Sequence, residues 1–143
     1  MTIQKKGSAE WKGSLKRGNG VVSTESGALK DNPYGFNTRF EGQPGTNPEE
    51  LIGAAHASCY SMALSMILGQ SDLEPDSIKT EATVTLEQDD SGFYISKVAL
   101  ETVARIPGAS QEDFEKAANA AKEGCPISRL FNADITLNAR LEG

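Results

Sequence analysis

A single long helix constrains this chain more than any other feature of its sequence. Asn47 can cap it, Pro48 suits its first turn, and Gly69 can end it. Between Leu51 and Leu68, apolar and small residues fall on every side of the helix, so we expect it to be buried all round. The stretch also contains a histidine, several serines and a cysteine, which makes it too polar and too short to predict a membrane span.

The composition limits what can surround that helix. The 143 residues suit one domain, and 38% hydrophobic residues provide only a lean core. A lean core favours further burial against a second copy of the chain. The formal net charge of -6 makes nucleic acid and membrane surfaces poor partners, because both attract clustered cations. No apolar run follows the basic residues at the start, so we expect no signal peptide and a cytoplasmic protein.

The remaining pattern predicts an α+β fold, with antiparallel sheets packed around long buried central helices, in one domain over residues 1–143. The predicted elements are short strands around a turn at residues 17–20, a hairpin turn at 89–92, a helix from 110 to 124 and a last strand from 133 to 141. Residues 31–47 are rich in Gly, Pro and Asn and are expected to form an irregular connection, with a short ordered piece at 36–41. Strands and helices do not alternate regularly, which argues against a parallel sheet.

Two cysteines are the candidate reactive groups. Cys125 lies between Gly124, which ends one predicted helix, and Pro126, which opens the next, so free backbone N–H groups there favour a thiolate. Cys59 lies in the middle of the long helix and would need a cation from elsewhere in the fold. Arg39, flanked by aromatic residues, is a plausible source. Taken alone, the local sequence of each cysteine favours an inert buried thiol.

Glu49 could reach Cys59 only across a dimer. Ten residues separate the two, which is about 15 Å along a straight helix. If two copies of the helix cross antiparallel near the small residues at 53–55, Glu49 of one copy lies near Cys59 of the other. The sequence therefore favours an intertwined homodimer with composite sites.

Other chemistries have weaker support. His56, Cys59 and Cys125 could form a metal site, but the chain has one histidine and no recognisable fourth ligand. Motifs for phosphate binding or for a serine nucleophile are absent. We expect no metal and no cofactor. Two alternatives stay open: a small-molecule or metal-binding stress protein, and a non-catalytic dimeric binding module with both thiols inert.

Three segments carry a resemblance to a known family. They are residues 33–42, residues 45–59 and Gly124-Cys125-Pro126. Together with residues 11–13 and 20–27, they resemble the OsmC/Ohr family of thiol-dependent peroxidases, which comprises osmotically inducible protein C and the organic hydroperoxide resistance proteins. The resemblance runs nearly from end to end of the chain.

This resemblance implies a homodimeric peroxidase that reduces organic hydroperoxides, and hydrogen peroxide less well, in oxidative and osmotic stress defence. It implies that Cys59 is the peroxidatic cysteine and Cys125 the resolving one, while Arg39 and Glu49 orient and activate the Cys59 thiolate. The implied cycle passes through a sulfenic acid and a disulfide, which an external dithiol such as a lipoyl group reduces. An apolar channel for organic peroxides could be lined by Phe36, Phe40, Ile127 and Leu130.

Overall fold

Strands and helices follow one another in an α+β order, as predicted. The computed structural model describes every residue from Met1 to Gly143, in two units, Met1–Leu51 and Ile52–Gly143. The elements are β1 (Gly7–Lys12), β2 (Asn19–Thr24), β3 (Asn32–Tyr34), α1 (Phe36–Phe40), α2 (Pro48–Gly69), β4 (Ser77–Asp89), β5 (Gly92–Arg105), α3 (Gln111–Gly124), α4 (Pro126–Leu130) and β6 (Asp134–Glu142).

The first unit is built on an antiparallel sheet with the order β1-β2-β3. Gly20 on the central strand pairs with Trp11 on one side and Tyr34 on the other. A Cβ at Gly20 would lie 2.7 Å from a ring carbon of each aromatic residue, so only glycine fits there. Strand β3 falls inside the segment that was expected to be irregular. Its Pro33 donates no backbone hydrogen bond, which an edge strand tolerates.

The start of α2 is fixed by Asn47, as predicted. The Asn47 side chain accepts a hydrogen bond from the backbone N–H of Glu50 (2.8 Å) and donates one to the carbonyl of Thr38 (3.3 Å). Because Thr38 belongs to α1, this side chain ties the first turn of α2 to α1. The same turn of α2 carries Glu49, which pairs with Arg39 on α1.

Within one chain, α2 is buried on one face only, which differs from the expectation of burial on every side. Its buried residues are Gly53, His56, Tyr60, Leu64 and Leu68, spaced three or four apart. Met62 and Met66 on another face are 75% and 63% exposed. By length and composition α2 could cross a membrane, a criterion that core helices of soluble proteins also meet.

The second unit contains a three-stranded sheet in the order β4-β5-β6. β4 and β5 form the predicted antiparallel hairpin, while β5 and β6 run parallel, so this sheet is mixed. The connection between the parallel strands carries α3 and α4. The core between sheet and helices includes the fully buried side chains of Leu64, Val98, Leu100 and Phe114.

Candidate active site

Cys125 occupies the junction of two helices, as predicted. Its backbone N–H donates to the carbonyl of Ala121 (3.0 Å) at the end of α3. Its side chain caps α4, since Sγ accepts a hydrogen bond from the backbone N–H of Ser128 (3.3 Å). Pro126 opens α4 and needs no hydrogen-bond partner for its nitrogen. The Cys125 side chain is fully buried, so this corner fixes the position of Sγ.

Cys59 on α2 faces that corner and is partly exposed. Its thiol lies close to the Cys125 thiol and to the backbone N–H of Ile127. Burial raises the pKa of Cys59, the Cys125 thiol raises it further, and the Ile127 N–H lowers it. None of these groups is a cation. The structure thus brings together two free thiols that are 66 positions apart in the sequence.

Arg39 and Glu49 form an ion pair within the first unit. Arg39 Nε lies 3.1 and 3.2 Å from the two carboxylate oxygens of Glu49, and Nη2 lies 2.7 Å from Oε1. The Arg39 guanidinium also stacks on the ring of Phe40, 5.3 Å from its centroid. The Glu49 side chain is 13% exposed and the Arg39 side chain 35%. Carboxylate and ring hold the guanidinium in one orientation.

An apolar cavity of about 210 Å³ lies beside Arg39. Its lining residues are Trp11, Leu15, Tyr34, Gly35, Phe36, Arg39 and Phe40. Phe36 and Phe40 were expected to line an apolar channel, and they do line this cavity. The other two residues named for the channel lie on α4 in the second unit, where Ile127 packs against the core and Leu130 is 73% exposed.

His56 is a core histidine with a polar partner. Its Nε2 lies 2.7 Å from Ser128 Oγ, which in turn lies 3.2 Å from Cys125 Sγ. Phe131 packs edge-on against the imidazole. Burial lowers the pKa of His56, which favours the neutral ring. No group of three or more His, Cys, Asp or Glu side chains is placed to hold a metal ion.

Ser128 and Tyr60 also belong to this site and were not predicted from the sequence. Ser128 stands three residues after Cys125, the position whose backbone N–H a helix-capping side chain reaches, and that spacing could have revealed it. The Tyr60 hydroxyl donates a hydrogen bond to the carbonyl of Ala118 (3.2 Å). Burial raises the pKa of Tyr60, and the nearby Cys125 raises it further, so the phenol stays protonated. No sequence pattern relates Tyr60 to Cys125.

Two neighbouring free thiols on an α+β scaffold are the arrangement of a thiol-based redox protein. The family model for OsmC-like proteins matches residues 40–140. The chain is 56% identical over 142 residues to peroxiredoxin OsmC of Escherichia coli (strain K12), covering 99% of both. The chain therefore belongs to the OsmC-like family, which confirms the resemblance seen in the sequence.

Solved structures show the same fold. The organic hydroperoxide resistance protein OhrB of Bacillus subtilis is 29% identical and superposes with a TM-score of 0.70 over 98% of both chains. An OsmC-like protein from Mycoplasma pneumoniae is 12% identical and superposes with a TM-score of 0.77 over 100% of both chains. Both matches extend over the α+β architecture of this chain.

Proposed function

We propose that this protein is a thiol-dependent peroxidase of the peroxiredoxin type, which reduces organic hydroperoxides to alcohols in stress defence. The observation that carries the proposal is the proximity of the free thiols of Cys59 and Cys125. Peroxiredoxin OsmC and OhrB, whose names state peroxide chemistry or hydroperoxide resistance, are its relatives. Hydrogen peroxide is the poorer substrate in this proposal, because the cavity beside Arg39 is apolar.

Cys59 starts the reaction as the peroxidatic cysteine. Its thiolate attacks the terminal oxygen of the hydroperoxide, the O–O bond breaks, and the leaving alkoxide takes a proton to become the alcohol. The sulfur is oxidised to a sulfenic acid. Partial exposure of Cys59 gives a peroxide access to this atom.

Cys125 completes the cycle as the resolving cysteine. Its sulfur attacks the sulfenic sulfur, an S–S bond forms, the S–O bond breaks, and the oxygen leaves as water. An external dithiol, such as a lipoyl group, then reduces the disulfide by exchange. A reducing compartment such as the cytoplasm would supply such a dithiol, and the two free thiols suit that location.

The active form in this proposal is a homodimer with composite sites. Burial raises the pKa of Cys59, so the thiolate needs a cation. The Arg39–Glu49 pair offers an oriented guanidinium, and Arg39 of the partner subunit would supply it if two copies of α2 cross. Exposed apolar side chains on α2, Met62 and Met66 among them, suit burial against a second copy.

We also propose that the whole chain works as one OsmC-like domain. The family match begins at residue 40 and ends at residue 140, so it includes parts of both units. Glu49, Cys59 and Cys125 lie inside the matched region, and Arg39 precedes it by one residue.

A thiol count tests the peroxidase. One equivalent of an organic hydroperoxide should remove both thiols of the wild type as an intramolecular disulfide. Cys59→Ser should keep its remaining thiol, whereas Cys125→Ser should stop at a sulfenic acid that dimedone traps. Two thiols surviving in the native wild type would refute the proposal and favour a binding module with inert cysteines. Zinc bound in stoichiometric amount would favour the metal-binding alternative.

Mixing two inactive variants tests the composite site. In a heterodimer of Arg39→Gln and Cys59→Ser chains, one site combines an intact Cys59 with an intact Arg39 from the other subunit. Random reassembly should therefore restore about a quarter of wild-type activity. If Arg39 acts within its own chain, the mixture stays inactive, because no chain carries both residues.

A further inference from the structure

The network around Cys125 extends beyond the two cysteines into the core. Ser128 Oγ lies between two buried partners, His56 Nε2 at 2.7 Å and Cys125 Sγ at 3.2 Å. His56 and Cys125 are fully buried, and Ser128 is 7% exposed. The proposed peroxidase cycle uses neither His56 nor Ser128. Buried polar groups that are hydrogen-bonded to a reacting sulfur can affect its reactivity.

The direction of the hydrogen bonds among His56, Ser128 and Cys125 follows from the number of protons that each group can donate. Ser128 has one hydroxyl proton and two partners, so it donates to one and accepts from the other. When Cys125 is a thiolate, its sulfur carries no proton and can only accept. Ser128 must then donate to Cys125, and His56 must donate to Ser128 through Nε2–H.

The other ring nitrogen of His56 favours the same direction. His56 Nδ1 is buried and has no hydrogen-bond partner. If Nε2 accepted a hydrogen bond from the Ser128 hydroxyl, the neutral ring would carry its hydrogen on Nδ1. That would leave a buried N–H unpaired, which native structures rarely tolerate. With the hydrogen on Nε2, only a bare lone pair is left at Nδ1.

We propose that His56 is a positioning residue that orients the Ser128 hydroxyl as a donor to Cys125, and thereby speeds the attack of Cys125 on the Cys59 sulfenic acid. Ser128 then gives the Cys125 sulfur two hydrogen bonds, one from its hydroxyl and one from its backbone N–H. Both stabilise the thiolate that forms the S–S bond. The proton that Cys125 gives up balances the proton that the departing oxygen takes to become water, so Ser128 and His56 keep theirs.

This inference rests on the proposed function, and a two-step kinetic assay separates the two. After rapid mixing with one equivalent of an organic hydroperoxide, dimedone trapping reports formation of the Cys59 sulfenic acid, and the thiol count reports the disulfide. Ser128→Ala and His56→Leu should slow disulfide formation by about tenfold, the effect of one hydrogen bond to a charged group, and leave sulfenic acid formation at the wild-type rate. Ser128→Thr keeps the hydroxyl, and His56→Gln keeps a hydrogen-bond donor to Ser128. Both variants should therefore restore the rate of disulfide formation.

Equal slowing of both steps, or a wild-type rate of disulfide formation in Ser128→Ala, would overturn the positioning role. A wild type that forms no sulfenic acid would instead overturn the peroxidase itself.

A spectroscopic test on the wild-type protein does not depend on how the variants fold. His56 is the only histidine of the chain, so ¹⁵N-histidine labelling gives one unambiguous imidazole. At neutral pH we expect the shifts of a neutral ring with its proton on Nε2 and a bare Nδ1. A proton on Nδ1 would refute the proposed direction of the network, whether or not the protein reduces peroxides.

Discussion

Lowering the pH from about 7.5 to about 5 should reduce the free energy of unfolding through His56. Burial lowers the pKa of His56 from the ordinary 6.5. Above that value the imidazole is neutral in both the folded and the unfolded chain, so its contribution to stability is complete. As the pH falls below it, the unfolded chain binds a proton that the folded chain does not. Stability is therefore lost on the acid side.

The size of the loss follows from linkage. Each pH unit over which only the unfolded state is protonated lowers the free energy of unfolding by about 1.4 kcal/mol. The added proton would go to Nδ1, which is buried without a partner, so protonation creates both a buried charge and an unpaired donor. The side chain is 0% exposed, so water does not offset this cost.

Urea unfolding followed by circular dichroism at fixed protein concentration measures this dependence. The matched control is His56→Gln, which keeps a polar side chain beside Ser128 but has no titrating group. Acidic side chains titrate in both proteins, so the difference between the two pH profiles isolates His56. Identical slopes for wild type and variant over this range would show that His56 does not cause the loss of stability.

Three further predictions concern the thiols, the ion pair and the core. Cys125→Ala should lower the pKa of Cys59, because it removes the hydrogen-bonding and the electrostatic effect of the Cys125 thiol, both of which raise it. The pH dependence of iodoacetamide alkylation measures this pKa, and an unchanged midpoint would contradict the prediction. Glu49→Gln should lower peroxidase activity about tenfold, because Arg39 is then held less firmly. It should change the free energy of unfolding by less than about 1 kcal/mol, because the pair is partly exposed. A large loss of stability with full activity would show that Glu49 serves the fold and not the reaction. Tyr60→Phe should lower the free energy of unfolding by about 1 kcal/mol at neutral pH, because it removes the hydrogen bond to Ala118. It should also flatten the loss of stability above about pH 10, since the raised pKa of Tyr60 keeps the folded phenol protonated while the unfolded one ionises.

The elements with strong local signals could be predicted from the sequence. Asn47 and Pro48 place the start of α2 correctly, and the alternation of apolar residues places the hairpin of β4 and β5. Strand β3 was missed because its three residues include a proline and lie among turn-forming residues. The parallel pairing of β5 with β6 was also missed. Alternation shows which face of a strand is buried, but it does not show which neighbour the strand takes or in which direction.

The candidate site was only partly accessible to sequence reasoning. The contexts of Cys59 and Cys125 identified both residues, but their proximity depends on how α2 packs against the corner between α3 and α4. The network of His56 and Ser128 was missed for the same reason, because 72 positions separate the two residues. Local patterns report caps, turns and buried faces, whereas the meeting of distant side chains is a property of the packed core.

The parallel pairing of β5 with β6 also determines the order in which the second unit can assemble during synthesis. β4 and β5 can pair as soon as both have left the ribosome, since a tight turn joins them. β6 follows the segment that carries α3 and α4, so this crossover closes only when β6 docks beside β5. Cys125 lies in this crossover, so the partner of Cys59 is synthesised only after β4 and β5. The ability to form an internal disulfide is thus acquired late in synthesis, after the residues of the helix that carries the first thiol have been made.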